Sequence, residues 1–534
     1  MKNKFLLVLS AFALLSAGAM AQTQYETARL TGSELNGTAR FVGMGGAMGA
    51  LGADISTMNT NPAGIGLYRS NEISTSFGFN NTQTKSGTYD SDKTRWSWDQ
   101  LGFVYSHQIG TATDLRFVNF GFNYHKSKNF NRAFAAEQDL LDFGYIDNHD
   151  RSWTASQTQQ MANMMGKASP AEIDDIYNYG DVEGLNNPYG AYMPYPYLGV
   201  MGIRSELVGI DEYDSPMGWN GKSNGYIGRE IGGLESYDLN LAFNIKDRFY
   251  VGLTMGINNV NYRMNSYYTE DIYDGPHSGF YELENYYRLE GAGLDLKLGA
   301  IFRPIADSPF RIGAAIHTPM WYTLTEKYTA QVYDKLTYDF GEPELEQFEC
   351  TEAVEDYVNG VTLRDYEMTT PWKFQLSAGT TIANMIAVGA EYEFQDYSTA
   401  RLRYENGEKN LEQNANVKED LKGVHTLRVG MEARLAPSFS VRAGYNYTSA
   451  PFRKTAYKAL DYNDMRTDVD YTNTFERNTV TVGLGYSGNV FFADLAYKYD
   501  MYKSEFYAFS ADALQPVKTD NNRHQVLLTM GVRF

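Results

Sequence analysis

Alternation with a period of two, running to the last residue of the chain, constrains this fold more than any other feature. Val526, Leu528, Met530, Val532 and Phe534 share one face of an extended strand, and Thr529, Gly531 and Arg533 share the other. Successive side chains of a strand point to opposite sides, so such a segment divides an apolar environment from a polar one. Just upstream, Phe491, Ala493, Leu495, Tyr497 and Tyr499 alternate with Asp494 and Lys498, and Val480, Val482, Leu484 and Tyr486 alternate with Thr481, Gly483 and Gly485. Ser487-Gly488-Asn489 between them suits the positive φ of a tight hairpin. Further strands are read near 438–448, 424–435, 385–397, 372–381, 310–317, 291–302, 249–262, 235–246, 115–125, 98–107 and 71–79. The total is about fourteen, an even number as closed bacterial barrels require.

The connections alternate short and long. Lys246-Asp247-Arg248 and Ala436-Pro437 are short; the long ones fall near 80–97, 126–234, 263–290, 318–371, 398–423, 449–476 and 501–522. Short turns on one side of a membrane and long loops on the other give this rhythm, and it places both termini on the periplasmic side. A soluble β-sandwich also alternates, but its loops do not sort by parity. Its dry core would also be costly for inward charges such as Arg428, Glu432 and Arg434, which stand opposite Leu427, Val429, Met431 and Ala433. The expected class is therefore all-β: a transmembrane antiparallel barrel.

The N-terminus supports export. Lys2 and Lys4 precede an apolar run from Phe5 to Leu15, too short to span a bilayer, and Ala19-Met20-Ala21 forms a cleavage site. Residues 1–21 are read as a signal peptide and the mature chain as starting at Gln22. No cysteine follows the run, so it is not a lipoprotein signal. Losing two lysines takes the formal charge from -19 to -21, which argues against nucleic acid or anionic headgroups as the main partner. The single Cys350 excludes an intrachain disulfide and any cysteine-based metal cluster. With 42 Tyr, 29 Phe and 49 Gly beside 15 Pro, the composition is that of strands. No metal site or cofactor is read from the sequence.

Residues 22–70 do not read as strands. Gly43 to Ala53 is small and mildly apolar; a dinucleotide-binding reading fails because Met48 breaks the G-x-G-x-x-G spacing. Small residues let chain approach chain, so this segment is expected to form a plug, an N-terminal hatch packed inside the lumen. The barrel proper is then 71–534, with a long extracellular insertion near 126–234, beyond ordinary loop length. Within it Ser169-Pro170-Ala171-Glu172 is a capping box that starts a short helix. Met161, Met164 and Met165 lie at helical spacing. They either capture apolar ligand or pack the loop helix on its neighbour.

Asn59-Thr60-Asn61-Pro62-Ala63-Gly64-Ile65, after the small-residue stretch and before the first strand, resembles the Asn-Pro-Ala-Gly signature of the FadL/TodX outer-membrane transporters. Weaker matches are Pro371 to Gly379, the strand Ala390 to Ser398, Leu427 to Gly430 with Val441 to Tyr445, Ser449-Ala450-Pro451 and Val482 to Tyr486. The resemblance covers nearly all of the mature chain, and Asn61, Pro62, Ala63 and Gly64 are its specific part. It implies a fourteen-stranded barrel with a hatch in the Gram-negative outer membrane. It also implies passive uptake of hydrophobic molecules such as long-chain fatty acids or aromatic compounds: capture on outer loops, a site inside the barrel, and a sideways exit through the wall. The C-terminal aromatic strand resembles the signal read by barrel-assembly machinery. The implied partners are a hydrophobic ligand, outer-membrane lipid and that machinery, with the chain a monomer.

The sequence departs from the family in longer, more acidic loops, with Glu342, Glu344, Glu346, Glu349, Glu352 and Glu355 crowded into one. The family's basic ligand-binding residues do not align to particular positions here. On physical grounds alone, a fatty carboxylate wants an inward cation, and Arg311, Arg428, Arg434 and Arg442 are the candidates; their alternative role is pairing with Glu432 or Glu391 across the lumen wall. Two other functions stay open: a haem-binding receptor, since His and Tyr ligate iron, and a loop-based adhesion protein anchored by a barrel. Catalysis is not expected. His107, His125, His149, His277, His317, His425 and His524 fall in no triad motif, and no G-x-S-x-G occurs.

Overall fold

The computed structural model describes residues 23–534 except 111, 148–150, 180–186, 192–194, 276, 340–344, 358–361, 457–464 and 469–470. The expected signal segment, and with it any reading of how the chain begins, lies outside the described residues, as do Glu342 and Glu344. Fourteen antiparallel strands close on themselves: β1 Glu72–Ser86, β2 Tyr89–Gln108, β3 Leu115–Asn129, β4 Gly221–Ile245, β5 Phe249–Asp274, β6 His277–Phe302, β7 Arg311–His317, β8 Lys373–Ile382, β9 Ile386–Asp396, β10 Gly423–Ala436, β11 Phe439–Thr448, β12 Tyr471–Ser487, β13 Phe491–Tyr507 and β14 Val517–Arg533. Closure is by β1 on β14, in register from Glu72↔Arg533 to Ser86↔Thr519. Every strand read from the sequence is present. No helix among the described residues is long and apolar enough to cross a membrane.

The short-turn end is built from left-handed residues. Lys246 and Asp247 join β4 to β5 at φ 57° and 54°, and Ala383 and Asn384 join β8 to β9 at φ 51° and 55°, the mirror-image turns that match strand twist. The β12–β13 turn departs from expectation. Gly488 is not in the positive-φ region; its amide closes the turn on the Phe491 carbonyl at 2.9 Å instead.

The strands are longer than the sequence reading allowed. β5 and β6 have 26 residues each, where a membrane crossing needs about 9–11. The reason lies in a switch of polarity along one strand. From Phe249 to Ile257 the outward residues of β5, including Leu253 and Met255, are apolar, while Thr254 and Asn258 face in. Beyond that point Asn259, Asn261 and Asn265 face out and Tyr262, Met264 and Tyr268 face in. In β6, Leu294, Leu296 and Leu298 point out and Tyr281, Leu283, Tyr287 and Leu289 point in. The first section is thus lipid-facing with a polar lumen. The second is water-facing with an apolar interior, as in a soluble protein.

That upper section is extended by residues read from sequence as loops. Trp321–Asp339 pairs with β6, with Leu345–Ala353 and with Thr362–Thr369, which in turn pairs with Arg401–Tyr404; Arg132–Asp139 pairs with β4. The insertion near 126–234 is correspondingly shorter, since β3 runs to Asn129 and β4 begins at Gly221. Inside it the helices Gln157–Met164, Pro170–Tyr177 and Tyr197–Arg204 pack on the apolar upper interior. Both bonds of the Ser169/Glu172 capping box form.

Candidate ligand-binding site

Residues 23–68 run through the lumen, buried along most of their length. The Gln24–Thr31 helix, capped by Thr23, sits at the long-loop end, where Gln24 donates to Asp420 at 2.7 Å and Tyr25 to Asn473 at 2.8 Å. Near the short-turn end Pro62–Leu67 forms a 3-10 turn capped by Asn61.

The small-residue stretch lies where the wall is smoothed for it. Gly379, Gly389, Gly430 and Gly444 are register partners across β8, β9, β10 and β11. A Cβ at Gly430 would stand 2.1 Å from the Met44 carbonyl oxygen, and one at Gly389 2.0 Å from that of Ala47. At Gly389, Gly430 and Gly444 the shelf receives backbone, and at Gly379 it receives the Leu51 side chain. On the opposite wall the Asn61 side chain accepts from the Ala63 amide at 3.2 Å and donates to the Ala300 carbonyl at 3.2 Å. His317 Nε2 lies 2.8 Å from the Thr60 carbonyl, and Asn240 donates to the Pro62 carbonyl at 3.3 Å. Asn61-Pro62 is thus the point where the hatch is tied to β4, β6 and β7.

Above the shelf is a cavity of about 220 Å³, bounded by the N-terminal segment 28–35 and by strands β3, β4, β10, β11, β12, β13 and β14. Its charged lining comprises six cations, Arg29, Lys128, Arg132, Arg428, Arg477 and Arg523, against three anions, Glu34, Glu230 and Asp500. Aromatic faces, among them Tyr25, Phe130, Tyr397 and Phe452, complete it. Arg477 Nη1 and Arg523 Nη1 reach the two carboxylate oxygens of Glu34 at 2.9 and 2.5 Å, and the Asn129 amide adds a contact of 3.3 Å. Burial alone would raise the Glu34 pKa, but the guanidiniums of Arg523 and Arg477 outweigh it and hold the carboxyl well below the usual range.

Beside the cavity the wall has a seam. The β2–β3 ladder ends at Gln100↔His125, while β2 continues on β1 to Tyr89. The hatch closes this seam: Asn36 Nδ2 donates to Asp99 Oδ1 of β2 at 2.9 Å and to the Lys126 carbonyl of β3 at 3.0 Å.

Of the residues named from sequence, Arg428 lines the cavity but is held by Glu391 at 2.6 Å and Glu393 at 3.0 Å. Arg442 is held by Glu432 and Asp494, each at 2.6 Å. Arg311 donates to the Leu51 carbonyl at 2.9 Å and serves the hatch. Arg434 is exposed, because the β10–β11 ladder slips beside it and turns it to the rim. Met161 and Met165 are fully buried, their sulfurs seated where a Cβ at Gly202 or Gly199 would fall, and Met164 packs partly buried against the same core; the stripe packs the loop helix. Glu352, read as part of an acidic loop, is buried and takes Arg204 at 2.7 Å and Tyr189 at 2.7 Å. Glu34, Arg477 and Arg523 were not singled out. Arg523 has the inward parity of Thr529 and Gly531, so extending β14 backwards would have found it.

A closed barrel of fourteen strands, apolar on its outer face over one section and with residues 23–68 packed in its lumen, is the fold of a membrane β-barrel. No family model and no curated sequence matches the chain. Among solved structures it is similar to a FadL homologue from Pseudomonas aeruginosa, with 12% identity over 94% of this chain and 100% of that one, at a TM-score of 0.50. The toluene transporter TbuX of Ralstonia pickettii aligns at 14% identity, 94% and 99% coverage and a TM-score of 0.44. The toluene transporter TodX of Pseudomonas putida gives 10%, 94% and 100%, and 0.45. The fold of this chain is that of the FadL homologue.

Proposed function

We propose that the protein is an outer-membrane channel for passive uptake of amphipathic anions, long-chain fatty acids ahead of neutral aromatic hydrocarbons, with both termini in the periplasm. The observation that carries this reading is the pair of buried guanidiniums, Arg477 and Arg523, that share the single carboxylate of Glu34 in the cavity, in a chain of formal charge -19. Cations gathered inside a low-dielectric wall beside aromatic faces suit a carboxylate head with an apolar tail. Each buried methylene of that tail contributes about 0.8 kcal/mol. An outer groove of about 510 Å³, with Ile173, Tyr177, Ile203, Val208, Trp219 and Phe348 in its lining, supports capture at the long-loop end. Asp174, Glu206 and Glu346 also line it, so it favours a tail and leaves an anionic head to water. The seam at Asn36 supports a sideways exit into hydrocarbon.

The test is mass spectrometry of compounds retained by the full-length protein purified from its own membrane, beside the Arg523→Gln variant. Retained fatty acids, depleted in the variant, are expected. Neutral aromatics retained equally by both proteins would overturn the reading.

A further inference from the structure

The cavity already holds an anion of the protein's own. Glu34 belongs to the short non-helical stretch between the Gln24–Thr31 helix and the Ala39–Gly43 turn, yet its carboxylate is received by three separate wall strands. Arg477 comes from β12, Arg523 from β14 and the Asn129 amide from β3. The side chain is only 7% exposed, and its backbone amide is tied to the Ser127 carbonyl at 2.8 Å. Two residues on, Asn36 bridges β2 and β3 where their ladder stops. One short segment thus carries both a carboxylate in the cavity and the clasp on the seam.

We propose that Glu34 is an internal stand-in for the ligand's anionic head: the arriving head exchanges with it at Arg477 and Arg523, and the displaced segment draws Asn36 off the seam. This rests on the proposed function. Exchange suits this site because one carboxylate leaves the guanidinium pair as another arrives. Neither state strands two buried cations without an anion, which would cost several kcal/mol. A neutral molecule of the same length fills the aromatic part of the cavity but has nothing to exchange, so the seam stays shut. The hatch thereby reads head-group charge, and the pathway opens to anions.

The experiment uses the full chain in detergent, titrated calorimetrically with decanoate below its micellar range and with decanol as the neutral counterpart. Glu34→Gln removes the competitor while keeping the side chain's size. Decanoate should bind about tenfold more tightly or better, the scale of one charge-assisted contact no longer contested, with decanol unchanged and Glu34→Asp close to the native protein. A nitroxide at Ser33→Cys, in a Cys350→Ser background, should gain mobility on adding decanoate and not on adding decanol. Decanoate affinity unaltered or weakened by Glu34→Gln, with the native protein binding well, overturns the exchange and leaves the channel reading standing. If neither protein binds decanoate, both fall. Should Glu34→Gln fail to reach its heat-modifiable folded form, the nitroxide measurement on the native hatch decides alone.

Discussion

Replacing Gly430 by alanine should unseat the hatch while leaving the barrel closed. The alanine Cβ would stand 2.1 Å from the Met44 carbonyl oxygen, where real Cβ contacts essentially never fall below 3.0 Å. Something must therefore yield by about 1 Å, as in an overpacked core. The wall is the less yielding party, because Gly430 is laddered to Gly389 on one side and Gly444 on the other. Overpacking of this kind costs about 1–3 kcal/mol, which shifts the balance between seated and unseated hatch by about 5-fold to 150-fold. Adding Gly389→Ala, whose Cβ would meet the Ala47 carbonyl oxygen at 2.0 Å, should compound the effect. The assay is ion conductance in planar bilayers, with heat-modifiable gel mobility confirming an intact barrel. Gly209→Ala, where nothing lies within 4 Å, serves as the silent control. If the double variant conducts like the native protein and its hatch resists protease equally, the glycine row is not a seat and the reasoning fails.

Asn61→Ala removes both the cap on Ala63 and the bond to the Ala300 carbonyl, a loss of about 1 kcal/mol for the cap alone. It should change labelled fatty-acid uptake at normal membrane abundance; unchanged uptake removes the motif from gating. Met161→Ala empties a fully buried site against Gly202 and should destabilise the packing of the Gln157–Met164 and Tyr197–Arg204 helices by about 2–5 kcal/mol. Limited proteolysis would read this as cleavage within those helices while the barrel's gel mobility holds.

How much of this was legible depends on which solvent each residue faces. The fourteen strands could be counted because hydrocarbon demands an unbroken apolar face, as in Leu427, Val429 and Met431. The segment 43–53 was read as lying in the lumen because small residues let chain approach chain, and the structure buries it there against Gly389, Gly430 and Gly444. The strand lengths could not be read, because past Ile257 and Leu294 the alternation continues with its polarity inverted, and a search for apolar outward faces stops there. For the same reason Trp321–Asp339 passed as loop, although Tyr322, Leu324, Tyr328 and Val332 point inward in turn. Arg477 and Arg523 stand just beyond the stretches where β12 and β14 were cut short. Glu34 lies in a segment with no periodicity at all; its two arginine partners are some 440 to 490 residues away in sequence, and only closure of the barrel brings them together.

The overall acidity of the chain and the cationic cavity are compatible because charge acts locally. At physiological ionic strength exposed charges are screened over about 8 Å, so carboxylates on the outer strands, such as Glu346 and Glu349, contribute little at Arg523. Inside the wall, screening is weak, so the two guanidiniums that share one carboxylate act strongly on an anion that reaches them. Net charge therefore argues against a polyanion spread over the outer surface, but not against a single anionic head that enters tail-first. On the proposed route such a ligand would meet the apolar residues of the outer groove first, then the aromatic faces of the cavity, and the guanidiniums beside Glu34 last.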